Sequence, residues 1–119
     1  MEDGNLKLYV LKIILKKNVF DRVKKIVSDS FFTNGGRDIY KAISKIYEDN
    51  PGIEEISISD LRISYFETYF ANQSYQAQKN IKDLISRIEH IQDMNDSVVE
   101  NAIKSMYKSA KAYNKGGIN

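Results

Sequence analysis

Apolar residues recur at intervals of three and four along almost the whole of this 119-residue chain, which matches one face of an α-helix and not the two-residue alternation of a strand. Leu6, Tyr9, Val10, Ile13 and Ile14 form one such row, and Leu8, Leu11 and Leu15 flank it with a second. A helix that is apolar on two sides has little face left for water, so the first helix, over 5–17, is expected to be deeply buried. Asn18 suits an N-cap, with Asp21 at the third position after it, and Val19, Phe20, Val23, Ile26 and Val27 mark the inner face of a second helix over 18–28. Thr33-Asn34-Gly35-Gly36 then breaks the pattern. It resumes with Ile39, Tyr40, Ile43, Ile46 and Tyr47 at the offsets of the second helix and stops at Asn50-Pro51-Gly52, so these two segments are predicted to pack as a pair.

From Ile53 to Ser59 the alternation is weak, and one strand alone would have no partner, so this stretch reads as an extended linker. Ser57 or Ser59 caps a fourth helix through Phe70, and Asn72-Gln73-Ser74 breaks or re-caps the chain. The last third is the most regular. Ala77, Ile81, Leu84, Ile88 and Ile91 step by four and three, and Val99, Ile103, Met106, Ala110 and Tyr113 repeat those steps. Ser97 with Glu100 has capping-box spacing, and Gly116-Gly117 closes the end. Two matched seams joined by a short connection imply an antiparallel hairpin. The expected architecture is therefore all-α: a helical head of about four helices over 1–72, a helical hairpin over 73–115, and the start of a linker or tail over 116–119.

Composition narrows the chemistry. At 42% hydrophobic and 29% charged the chain has the profile of one ordinary globular domain, and its apolar runs fall far short of the roughly 20 residues a membrane helix needs. The N-terminus has neither the basic start nor the cleavage site of a secretory signal, and the absence of cysteine removes disulfides, thiol nucleophiles and thiolate metal sites. A cytoplasmic location is the expectation. His90 has no histidine partner for a metal triad or proton relay, and there is no phosphate-binding loop, dinucleotide fingerprint or nucleophile elbow. No catalytic, metal or cofactor residues are assigned. Asn34-Gly35 reads as a turn, the acids Glu48, Asp49, Glu54 and Glu55 as a solvated patch, and His90 as a surface residue.

Net charge is only +2, but charge is unevenly placed: residues 1–25 hold seven basic and three acidic side chains, residues 48–69 one and six, and no acid follows Glu100. Lys104, Lys108, Lys111 and Lys115 share a helical stripe that suits weak contact with phosphates, or a solvated face that complements the helix C-terminus. The aromatic band Tyr65, Phe66, Tyr69 and Phe70 is either core or interface. Ile85, Val98, Ala102 and Tyr107 fall off the two seams. In a projecting hairpin they need another surface, so self-association or partner docking is expected there.

The order Val10-Leu11-x-x-Ile14-Leu15, Val19-Phe20-x-x-Val23, Phe31-Phe32, Arg37-x-Ile39-Tyr40-x-Ala42-Ile43-x-x-Ile46-Tyr47 and Ile58-x-x-Leu61 resembles the N-terminal domain of DnaB-type replicative DNA helicases. Phe32-Thr33-Asn34-Gly35-Gly36 followed by Ile39 to Tyr47 is most similar to phage members. The resemblance covers about residues 6–66 and is carried by hydrophobic patterning, with no counterpart over the hairpin. It implies a non-catalytic collar, paired as a dimer through its hairpins and a hexamer in the parent protein, that receives primase or a helicase loader while a separate domain hydrolyses ATP. The helicase-binding domain of primase resembles the same architecture. A small helical phage nucleic-acid-binding or regulatory protein is the alternative from another class.

Overall fold

The computed structural model describes the backbone of residues 3–69 and 72–118 and the side chains of 6–68 and 72–107. Six helices follow one another: α1 (Asp3–Ile13), α2 (Lys17–Val23), α3 (Asn34–Asp49), α4 (Ile58–Ile63), α5 (Tyr75–His90) and α6 (Asp96–Ile118). A 3₁₀ turn over Asp29–Phe31 leads into α3, and a π-helical turn over Ser64–Tyr69 prolongs α4. There is no strand among the described residues. The fold is all-α, as the periodicity requires.

Helix α1 is the hub. Both of its apolar rows are used: Leu6, Leu8, Val10, Leu11 and Ile13 are buried, as are Ile14 and Leu15 just beyond its end, and α3, α5 and α6 each lie against it. Ile39, Tyr40, Ala42, Ile43, Ile46 and Tyr47 of α3 and Val19, Phe20 and Val23 of α2 complete the same core. Each such aliphatic side chain contributes about 1.5–3 kcal/mol relative to exposure. The Tyr47 hydroxyl, deep in this core, donates to the Ile14 carbonyl at 2.8 Å, so its polar atom is satisfied.

Local details differ from expectation for identifiable reasons. The linker does find a partner: Lys16 and Glu55 form an isolated antiparallel bridge, with the Lys17 amide donating to the Glu54 carbonyl at 2.8 Å and Ile56 to Leu15 at 2.7 Å. That bond supplies the first free amide of α2, which starts at Lys17 with no side-chain cap, and Asn18 lies inside the helix. Ser57 caps α4 in a reciprocal box with Asp60, and Ser74 caps α5. Asn34 takes the positive φ of 49° expected at the break, but Gly35 and Gly36 belong to the first turn of α3. A Cβ on Gly35 would sit 2.9 Å from Ile81 Cδ1 and 3.3 Å from Leu84, so this glycine lets α3 approach α5. At the other end α6 runs through Gly116-Gly117 to Ile118.

Helices α5 and α6 each lie against α1, and their seams are buried through Ile81 and Ile88 on one and Val99 and Ile103 on the other. Much of the second half of the hairpin expected over 73–115 falls on side chains outside the described residues.

Candidate functional site

The outer surface of α6, with the grooves where α5 and α6 meet the head, is the candidate site. Helix α6 is docked by specific polar contacts as well as by its seam. Arg22 of α2 donates from Nε and Nη2 to the two carboxylate oxygens of Glu100, at 2.8 and 2.9 Å. Planar guanidinium and carboxylate match in this bidentate form, which fixes orientation as well as distance. Glu100 is 6% exposed, and the Arg22 hydrogen bonds hold its carboxyl below the ordinary range despite burial. Helix α6 starts at Asp96, so Ser97 lies inside it and is not its N-cap, and the Glu100 carboxylate is bound by Arg22. The connection between α5 and α6 is tied down too: Lys12 reaches the Ile91 carbonyl at 2.6 Å and Asp93 at 3.0 Å, and Lys16 reaches Asp96 at 3.3 Å.

The residues expected at an interface divide sharply. Ile85 is 0% exposed and belongs to the core, so it does not point away from the head. Its neighbours Ile81 and Ile88 share that side of α5, and a helix face turned to α1 and α3 takes all three. Tyr65 is likewise 0% exposed, with its hydroxyl donating to Gln73 at 3.2 Å. Phe66 is half-buried, edge-on to Tyr65 at 5.0 Å, with the Lys82 ammonium 5.4 Å from the centre of its ring. Tyr107 turns toward the head, its ring 6.1 Å from Phe31, and Ala102 is half-buried. Among the described members of the set, Val98, at 51% exposed, is the one that faces water. The side chains of Tyr69 and Phe70 lie outside the described residues, as do those of Lys108, Lys111 and Lys115. Lys104 is exposed, and so is His90, whose ring nitrogen lies 2.9 Å from the Ser86 carbonyl.

Two features had no advance signal. The exposed large apolar residues include Ile63 and Tyr75, at 61% and 83%, besides Val98. The main aromatic cluster is a chain of rings through the head: Tyr107 to Phe31, Phe31 to Phe32 at 5.0 Å, Phe32 to Tyr40 at 4.8 Å, and Phe20 between Tyr40 and Tyr47. The rings come from α2, the turn before α3, α3 and α6, so the sequence marks Phe20, Phe31, Phe32, Tyr40 and Tyr47 as apolar without announcing that they stack on one another.

Two grooves flank α1. One, of about 510 Å³, lies between the end of α1, the linker and the α5–α6 connection, and carries both Lys12 and Lys16 and the acids Glu55, Asp93 and Asp96. The other, of about 250 Å³, lies between α1, the start of α3 and α5. No cluster of three or more acidic or histidine side chains suited to a metal ion occurs among the described residues, and no described helix is long and apolar enough to cross a membrane. Comparison with protein-family models, with curated proteins and with solved structures finds no match.

Proposed function

We propose that this chain is a non-catalytic docking and assembly domain of the kind that forms the N-terminal collar of DnaB-type replicative helicases, self-associating and receiving primase or a loader. The observation that carries this reading is that the apolar positions of the resemblance form one core: Val10, Leu11, Ile14, Leu15, Val19, Phe20, Val23, Phe31, Phe32, Ile39, Tyr40, Ala42, Ile43, Ile46, Tyr47 and Leu61 are all buried, and Ile58 is partly buried against them.

The test is calorimetric titration of the chain with primase and with the helicase loader from the same genome, alongside sedimentation of the chain alone. Saturable binding to either protein with self-association is the expected result. Binding to the helicase instead would transfer the chain to the primase side. Tight binding to single-stranded DNA, falling steeply with salt and without either protein partner, would overturn the reading in favour of a nucleic-acid-binding protein.

A further inference from the structure

Asn34-Gly35 is the single Asn-Gly pair of the sequence, and the fold leaves it chemically open. Asn34 is exposed, and both residues line the smaller groove beside α1, so water reaches them. The φ of 49° at Asn34 lies in the left-handed region, outside the regular helical and extended backbone. The Gly36 amide donates to the Thr33 carbonyl at 3.0 Å, but the Gly35 amide has no acceptor among the described residues, as the first turn of a helix has no preceding turn to supply one. The Asn34 side-chain amide is unbonded among them as well. Other asparagines lack one of these conditions. Asn50 precedes Pro51, which has no amide to react, and Asn18 Oδ1 accepts from the Val19 amide at 2.9 Å. Asn80 Oδ1 accepts from Gln76 at 3.0 Å, and Asn95 and Asn101 are followed by residues that carry a Cβ.

We propose that Asn34-Gly35 is a site of self-modification in the folded protein, where the Asn34 amide is converted without an enzyme into aspartate and isoaspartate. Solvent base removes the Gly35 N–H proton, and that nitrogen attacks Cγ of Asn34. A C–N bond forms, the bond from Cγ to Nδ2 breaks, and the nitrogen leaves as ammonia with a proton from water. The product is a cyclic imide joining the two residues. Water then opens it at either carbonyl. Opening at Cγ gives aspartate, and opening at the main-chain carbonyl routes the chain through Cβ and Cγ as isoaspartate. The two products act on α3 in opposite ways. Aspartate places a carboxylate at a helix N-terminus whose first turn holds no acid. Isoaspartate lengthens the main chain next to Gly35, where an added Cβ alone would come within 2.9 Å of Ile81, and so loosens the contact of α3 with α5.

The experiment is ageing of the full chain at mildly alkaline pH, native and in urea, followed by peptide mapping by mass spectrometry with isoaspartyl methyltransferase labelling. Asn34 is expected to convert before any other asparagine of the described residues, and in the native chain at no less than about a tenth of its rate in urea. Protection beyond about tenfold would mean that α3 must open before the amide reacts, and would overturn the assignment. Earlier conversion of Asn18, Asn80, Asn95 or Asn101 would overturn it too. Melting then tests the effect on α3. Asn34→Asp is expected to melt no lower than the wild type, and the isoaspartyl form, separated by chromatography, to melt lower. An isoaspartyl form that melts with the wild type would refute the loosening of α3 from α5.

Discussion

Glu100 is the one charged side chain that is almost fully buried among the described residues, and its behaviour is set by Arg22. The folded carboxyl titrates below its ordinary value of 4.5, so the contact contributes fully above about that pH and is lost as pH falls through the lower, folded value. Asp21, lowered by its hydrogen bond with Lys17, adds acid sensitivity of the same sign. Glu100→Gln is therefore expected to cost about 1–2 kcal/mol at neutral pH and to shrink the loss of melting temperature on going from pH 5 to pH 3, as calorimetric scans at the two pH values would show. Tyr47→Phe removes the bond to the Ile14 carbonyl and is expected to lower stability by about 1 kcal/mol in urea unfolding, with the ring packing retained. Ile85→Glu puts a charge into an apolar core. It is expected to abolish cooperative melting, and a variant that still melts like the wild type would place Ile85 elsewhere.

At the scale of elements, how much could be read in advance follows from what each signal measures. Apolar spacing reports which face of a helix turns inward, and on that point α1, α2 and α3 are as expected, with the inner faces of all three buried. Spacing does not report what the face meets. The seams of α5 and α6 match each other in step, yet both helices lie against α1, and Ile85, read as a leftover, is core while Tyr107 packs toward Phe31. Capping boxes show the same limit: Ser57 and Asp60 form one at the start of α4, whereas α6 starts a residue before Ser97 and the Glu100 carboxylate goes to Arg22, 78 residues away in the chain. Gly35 reads as a turn residue and works as a contact. Replacing it with Val forces a branched side chain against Ile81 and Leu84, with an expected loss of about 1–3 kcal/mol measured by denaturant midpoint. The same change on Gly52, whose Cβ position is open, is expected to be much milder.

At the scale of the whole molecule, the assembly proposed above would have to use what the head leaves exposed. Val98 and Tyr75 stand out in water on two different helices, and Val98→Glu with Tyr75→Glu is expected to reduce self-association in sedimentation while circular dichroism stays unchanged. A dimer that survives both changes would move the interface away from these residues. The placement of α1 at the centre also has a consequence for synthesis. Within these residues α1 precedes every element that covers it: α3 and α5 reach it first, and α6 only once Ile103 has been made. Part of its apolar surface therefore stays open until late in synthesis, and a chain stalled before α6 should be more prone to aggregation than one that carries it.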